Sequence, residues 1–332
     1  SSEFSLCFSH MKLPAFFFAT CLMLTACGES RRESPGQSGS TSIPAMEVPT
    51  FDGQRAFQYL KQQTDFGPRN PGSDGYRQCL AFLHSELSTR ADSVFLQRFS
   101  YRTSRGESYQ GTNIVARFGR TPGPRILLTA HWDTRPWADQ DVNPGNYAKP
   151  ILGANDGASG VAVLLEFARI FSTNPPPAGF DIVLFDAEDV GESGNSESYA
   201  QGSQYFAKNL PANTQYRYAI NFDMVGDKNL EIRRESNSDT YAPALMDAVF
   251  NRARLLRYPQ FIDEKIPGIY DDHIPLNQAN IPAIDLIDFN YPDHTNRYWH
   301  SMDDTPDKCS PESLDAVGTV ILHLLYGQGI DF

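Results

Sequence analysis

The sequence predicts an α/β fold: a single domain on a central mixed, mostly parallel sheet flanked by helices. Three observations predict it. Short apolar runs such as Ile182 to Phe185 are bounded by polar residues, the pattern of strands buried on both faces. These runs alternate with segments of helical spacing, as in a parallel sheet wrapped by helices. Several runs end in acids, as in Phe185-Asp186-Ala187-Glu188-Asp189, and in open α/β sheets ligands gather just beyond the carboxyl ends of the strands. If the chain is still extended at Glu188 and Asp189, their side chains point to opposite sides. One can then grip a metal while the other handles protons. Taken alone, this acid pair reads more simply as a polar strand-to-loop junction.

Residues 1–10 read as upstream residues, neither domain nor leader. Met11 opens a secretory signal over 11–26, with Lys12 as its charge and an apolar core from Leu13 to Leu24. That core is too short to span a bilayer. It ends in Leu24-Thr25-Ala26-Cys27, which resembles a bacterial lipoprotein box, and the alternative is an ordinary cleaved signal. The resemblance implies export, a lipid anchor at Cys27 and a position facing the periplasm. Residues 27–50 are rich in Ser, Gly, Pro and charge and read as a flexible tether. The folded domain is expected over 51–332.

Within it, residues 52–64 read as a helix and 66–73 as a turn-rich loop. Ser73 or Asp74 caps a helix running to Leu87. Strands are expected at 93–101, 111–118, 125–130, 182–185, 218–222 and 283–287, with a turn at 119–124. Residues 158–171 have helical spacing, placing Val161, Leu164, Leu165 and Ala168 on one face. The formal net charge is −12 and no basic cluster stands out, which argues against nucleic acid as a partner. Of five Cys, only Cys79 and Cys309 fall in the folded part; a disulfide between them and two buried thiols are both open.

The strand ends carry the chemistry. They bring, in order, Ala130-His131-Trp132-Asp133-Thr134, Gly153-Ala154-Asn155-Asp156-Gly157, Glu188-Asp189, Asn221-Phe222-Asp223, Asp271-Asp272-His273, Asp285 and Trp299-His300. A set of acids and His residues is a convergent constellation, and His with carboxylates suits an open zinc site. Gly153 and Gly157 allow tight backbone turns around Asp156. Individually, Asp156 reads as a helix N-cap and His300 as a surface His.

In order, FGPRNPGS, AHWDT, GANDGASG, LFDAED, NFDMVGD, DDHIPL and YWHSMDD resemble the clan of zinc aminopeptidases and glutaminyl cyclases. Within it, DDHIPL and the Trp before the last His resemble glutaminyl cyclases more than aminopeptidases, and the acid at Asp285 resembles the bacterial members. The resemblance implies one zinc per chain held by Asp156, Asp189 and His300, with Glu188 as catalytic acid/base. It also implies Asp271 as the acid holding the leaving amide, Asp223 as an acid behind the ligands, Asp285 in the hydrogen-bond chain to Asp271, and Trp299 in the substrate pocket. His131 and Asp223 match positions that bind a second zinc in aminopeptidases, so the metal count stays open. Asp189 stands where family members often have Glu, Asp285 where animal cyclases have His, and 190–201 lacks an expected Trp. The implied reaction converts the N-terminal Gln of a peptide or protein to pyroglutamate with release of ammonia. A two-metal aminopeptidase is the alternative, and a non-catalytic module on the same fold a third. The natural peptides and the oligomeric state are not legible.

Overall fold

The computed structural model describes residues 47–103, 105–119, 122–175 and 177–327. The signal, the lipoprotein box and all but the last residues of the tether lie outside them, as does part of the turn read at 119–124.

Six strands form the main sheet: β1 (Ser93–Arg102), β2 (Ser108–Phe118), β3 (Arg125–His131), β4 (Phe180–Phe185), β5 (Tyr216–Asp223) and β8 (Ala283–Ile287). Their spatial order is β1-β2-β4-β3-β5-β8. The four strands β4, β3, β5 and β8 run parallel, and β1 and β2 add an antiparallel edge. The sheet is therefore mixed and mostly parallel, as expected.

The central strands are mostly apolar because both faces are covered, and polar side chains within them such as Thr129, Asp181, Asn221 and Asp285 are buried and hydrogen-bonded. Ile114, Leu128, Ile182, Leu184, Ile220 and Ile284 pack into one core. The alternating residues Val115, Leu127, Val183, Ala219 and Ala283 pack into a second. Helices α1 (Gly53–Asp65), α2 (Asp74–Ser88), α3 (Ala158–Thr173), α6 (Pro243–Leu256) and α8 (Pro311–Tyr326) supply the first core. Helices α4 (Gln201–Lys208) and α7 (His273–Gln278) supply Phe206 and Leu276 to the second. Between α4 and α7 the chain also forms α5 (Ser236–Tyr241) and a small parallel pair, β6 (Ile232–Glu235) with β7 (Phe261–Ile266).

Caps follow the local chemistry. Asp52 accepts from the Arg55 N–H and Ser73 from the Tyr76 N–H, so Ser73 is the cap of α2. The single apolar face read for α3 is an underestimate: Ala158 to Ala168 is buried throughout, because α3 lies between the sheet and α1 and α8. Cys79 and Cys309 are buried free thiols, which closes the disulfide question.

Candidate metal centre and active site

The carboxyl ends of β3, β4 and β5 and the loop before α3 deliver one buried cluster. His131 ends β3, Asp223 ends β5, and Glu188 and Asp189 follow β4. Asp156 precedes α3 on a backbone bent by Gly153 (φ +62°) and Gly157 (φ +99°), a conformation that favours glycine. Asp156 is not the helix cap; that position is Gly157, with no side-chain hydrogen bond. His300 is buried, contrary to its isolated reading as a surface residue.

Two ligand groups share Asp156. In the first, His300 Nε2 lies 3.0 Å from Asp189 Oδ1 and 3.5 Å from Asp156 Oδ2. In the second, His131 Nε2 lies 3.2 Å from Asp156 Oδ1 and 3.1 Å from Asp223 Oδ1. Within each group the ligand atoms fall within 4.8 Å of one another, and all five residues are buried. Asp156 Oδ2 and Asp189 Oδ2 are buried without a hydrogen-bond partner, a costly state for a carboxylate. Unpaired carboxylate oxygens beside His nitrogens fit a divalent cation such as zinc.

The expectation of an extended chain through Glu188 is corrected. Strand β4 ends at Phe185, and Ala187 adopts φ +58°. A turn therefore separates the strand from the two acids. The Glu188 and Asp189 N–H groups both donate to the Asp133 carboxylate, at 3.1 and 3.2 Å. That same carboxylate lies 3.5 Å from His131 Nδ1, so Asp133 ties two strand ends together. Met224 (φ +48°) and His300 (φ +50°) also sit in the left-handed region. Such costly backbone gathers at functional sites.

Further supports come from distant segments. Asp304 accepts from the Asn155 and Asp156 N–H groups at 2.8 and 3.1 Å and from the Tyr291 hydroxyl at 2.8 Å. Arg69 is fully buried, and its guanidinium donates to the carbonyls of Trp132, Leu152 and Gly153. Arg135 pairs with Asp139 at 2.6 Å and with Asp189 at 3.3 Å. The shortened arm of Asp189 is thus braced by a buried cation.

Burial is the first cause of the shifts here. It pushes the Asp189 carboxyl up to about 7, against the pull of Arg135. It also raises Glu188 well above the usual range, with Asp271 and Asp189 adding and His131 opposing. Burial, with the Arg135 charge, lowers His300 to about 3 and keeps its imidazole neutral, the form that binds metal. For His131 burial acts downward, but Asp223, Asp133 and Asp156 outweigh it and hold it well above its usual value. The same negative field is what a bound dication would neutralise.

Asp271 belongs to a buried network. Its Oδ1 accepts from Asn221 Nδ2 at 3.2 Å, and that amide also donates to Asp285 at 3.1 Å. Thr129 donates to Asn221 Oδ1 at 2.7 Å and fixes the amide's orientation. Asp285 therefore reaches Asp271 through Asn221. His273 stands behind, 3.9 Å from Asp285 and 3.3 Å from Glu235.

A cavity of about 240 Å³ opens on the cluster, lined by Glu188, Asp189, Tyr199, Asp271, Phe289, Trp299 and His300 among others. Trp299 stacks on His300 with centroids 3.7 Å apart, and Phe289 meets it edge-on at 5.1 Å. Tyr199 supplies an aromatic in the loop that lacks the expected Trp. A larger depression of about 620 Å³ near Phe51 and Arg169 shares no residue with the cluster, so size alone does not mark the site. The expected residues Glu188, Asp271, Asp223, Asp156, Asp189, His300, Trp299 and His131 are all brought together, and Asp285 joins them through Asn221. Asp133, Asn221, Asp304, Arg69 and Arg135 carry support that the residue types alone did not announce.

A profile described as peptidase family M28 matches residues 113–325. The chain is similar to a leucine aminopeptidase precursor from Bacteroides thetaiotaomicron, with a TM-score of 0.82, 37% identity, and coverage of 86% of this chain and 100% of that one. It is equally similar to a glutaminyl cyclase of Bacteroides thetaiotaomicron bound to N-acetylhistamine, with a TM-score of 0.81, 37% identity, and coverage of 85% and 100%. Among curated relatives, aminopeptidase YwaD of Bacillus subtilis is 25% identical over 60% of this chain, which spans 40% of that protein.

Proposed function

Because this chain belongs to peptidase family M28 and is an enzyme of that family, we propose that it is a glutaminyl-peptide cyclotransferase. It converts the N-terminal Gln of peptides or proteins to pyroglutamate. One observation carries the reading: Glu188 and Asp271, two buried carboxyl groups, line the same small cavity as Trp299, beside the Asp156–Asp189–His300 group. A proton shuttle, an amide holder and an aromatic wall then surround one substrate side chain.

Asp156, Asp189 and His300 would hold one zinc ion, which would supply a Lewis acid for the side-chain amide oxygen of the substrate. The substrate's α-amine attacks its own side-chain amide carbon, forming the ring C–N bond. Glu188 takes a proton from that amine and returns it to the leaving nitrogen as the amide C–N bond breaks, so ammonia departs. Asp271 accepts the N–H of the leaving amide, its carboxyl oriented by Asn221. Trp299 packs on the aliphatic stem and limits unproductive rotamers.

The second ligand group, His131, Asp156 and Asp223, favours a second reading, a two-metal aminopeptidase in which Glu188 activates water. Ammonia release from a Gln-initiated peptide, measured beside hydrolysis of a leucine amide by zinc-loaded protein, separates the two. The proposal expects ammonia with pyroglutamate and no amide cleavage; the reverse overturns it.

We also propose that the domain is exported and lipid-anchored at Cys27, facing the periplasm. The support is the Leu24-Thr25-Ala26-Cys27 box followed by a polar tether. Mass spectrometry of the cell-derived protein is expected to find acylated Cys27 as the first residue. An unmodified N-terminus elsewhere overturns the anchor.

A further inference from the structure

A second cavity of about 300 Å³ adjoins the catalytic one, and Ile269 and Phe289 line both. Ile266 and Pro267 add apolar lining from the segment that leads from β7 toward Asp271. The polar lining is almost entirely satisfied from within. Asp288 accepts from the Glu231 and Asn290 N–H groups at 2.8 and 3.0 Å. The Arg233 guanidinium is held by Glu231 at 3.0 Å and by Glu264. Two carboxylates offset its charge, so the cavity is not built for an anion. Among the side chains lining it one buried donor remains, Arg233 Nε, which has no hydrogen-bond partner. An apolar chamber with one unused N–H suits an apolar side chain attached to a neutral carbonyl.

We propose that this cavity is a subsite for the peptide following the cyclising Gln, and that it selects substrates with a large apolar residue at the second or third position. Arg233 Nε donates to a substrate backbone carbonyl. The inference rests on the cyclotransferase reading. Continuity with the catalytic cavity commits it to substrate: with the Gln side chain in that cavity, Phe289 and Ile269, which line both, give the following residues a path into this one. Each further residue advances it by about 3.5 Å.

The test compares Gln-Gly-Gly, Gln-Leu-Gly and Gln-Gly-Leu amides on the zinc-loaded full chain, with Arg233→Leu and Ile266→Asp as variants. In the unsubstituted enzyme one leucine peptide is expected to exceed the glycine peptide on the order of 10-fold in kcat/KM, the scale of burying a leucine. Ile266→Asp is expected to remove most of that gain and leave the glycine peptide within about twofold, so that peptide reports intact folding and chemistry, whereas Arg233→Leu removes the donor to the backbone carbonyl and raises KM for all three peptides alike. Cyclisation of all three peptides at equal kcat/KM overturns the subsite and leaves the cyclotransferase reading standing. A preference that survives Ile266→Asp also overturns it, as does an Arg233→Leu enzyme with unchanged KM for all three peptides. If no Gln peptide is cyclised, both fall together.

Discussion

Glu188→Gln is expected to keep its zinc and to cyclise Gln-initiated peptides on the order of 10²–10⁴ times more slowly, the usual weight of general acid–base catalysis. The amide matches the carboxylate in size and still forms hydrogen bonds, but it cannot carry a proton from the attacking amine to the leaving nitrogen. Glu188 belongs to neither ligand group, and its backbone is pinned by Asp133 at 3.1 Å, so the substitution leaves the loop anchored. Asp189→Asn is expected to fail differently. It removes a charged oxygen 3.0 Å from His300 Nε2 and leaves Arg135 facing the metal position with Asp139 alone to offset it, so zinc affinity falls first and activity follows. Zinc content and pyroglutamate formation, measured on both variants, check the assignment. If Glu188→Gln loses zinc while Asp189→Asn retains it, the two roles are exchanged. If Glu188→Gln cyclises at the normal rate, Glu188 is not the proton carrier.

That Glu188 and Asp189 fall in the buried cluster was legible because both follow the carboxyl end of β4 among other strand-end acids, while their separate roles rest on the family resemblance. The central strands were legible for a related reason. Burial on both faces leaves them few polar positions, and the run from Ala283 to Ile287, with Asp285 as its one polar residue, coincides with β8. The edge of the molecule was harder. β6 and β7 carry Arg233, Arg234, Asp263, Glu264 and Lys265 in a run with no apolar alternation, and they are held together by cross-strand ion pairs such as Arg233–Glu264 and Arg234–Asp263. Helices α4 and α5 are only 8 and 6 residues long, too short for a periodic signal. The supports of the site were hidden for a different reason. Asp133 acts on the N–H groups of residues 188 and 189, and Asp304 on those of 155 and 156. Such bonds depend on which loops meet in space, and no local spacing encodes that. Asp285 was legible as a departure, but its consequence needed Asn221, whose amide spans the two acids.

Asp156→Asn is expected to abolish both zinc binding and turnover, while His131→Ala keeps one zinc per chain and remains active within about 10-fold, the lower end of what losing a supporting partner costs. Asp156 is the residue that both ligand groups share, with Oδ1 facing His131 and Oδ2 facing His300. Its loss weakens any metal arrangement this cluster supports, by more than the roughly 10–100-fold that removal of a supporting partner costs. The fold is expected to survive, because α3 takes no cap from Asp156 and the segment stays tied to Asp304 through backbone N–H groups. His131 has the opposite character. In a one-zinc enzyme its contacts with Asp133, Asp156 and Asp223 only orient those acids, so a truncation loosens the site without emptying it. Far-ultraviolet circular dichroism controls for folding, and zinc per chain is read by elemental analysis beside the cyclisation rate. Two equivalents in the unsubstituted protein, falling to one with loss of activity in His131→Ala, would make the His131–Asp156–Asp223 group a working metal site and favour the aminopeptidase. One equivalent in both, with cyclisation preserved, leaves Asp156, Asp189 and His300 as the whole of the metal centre.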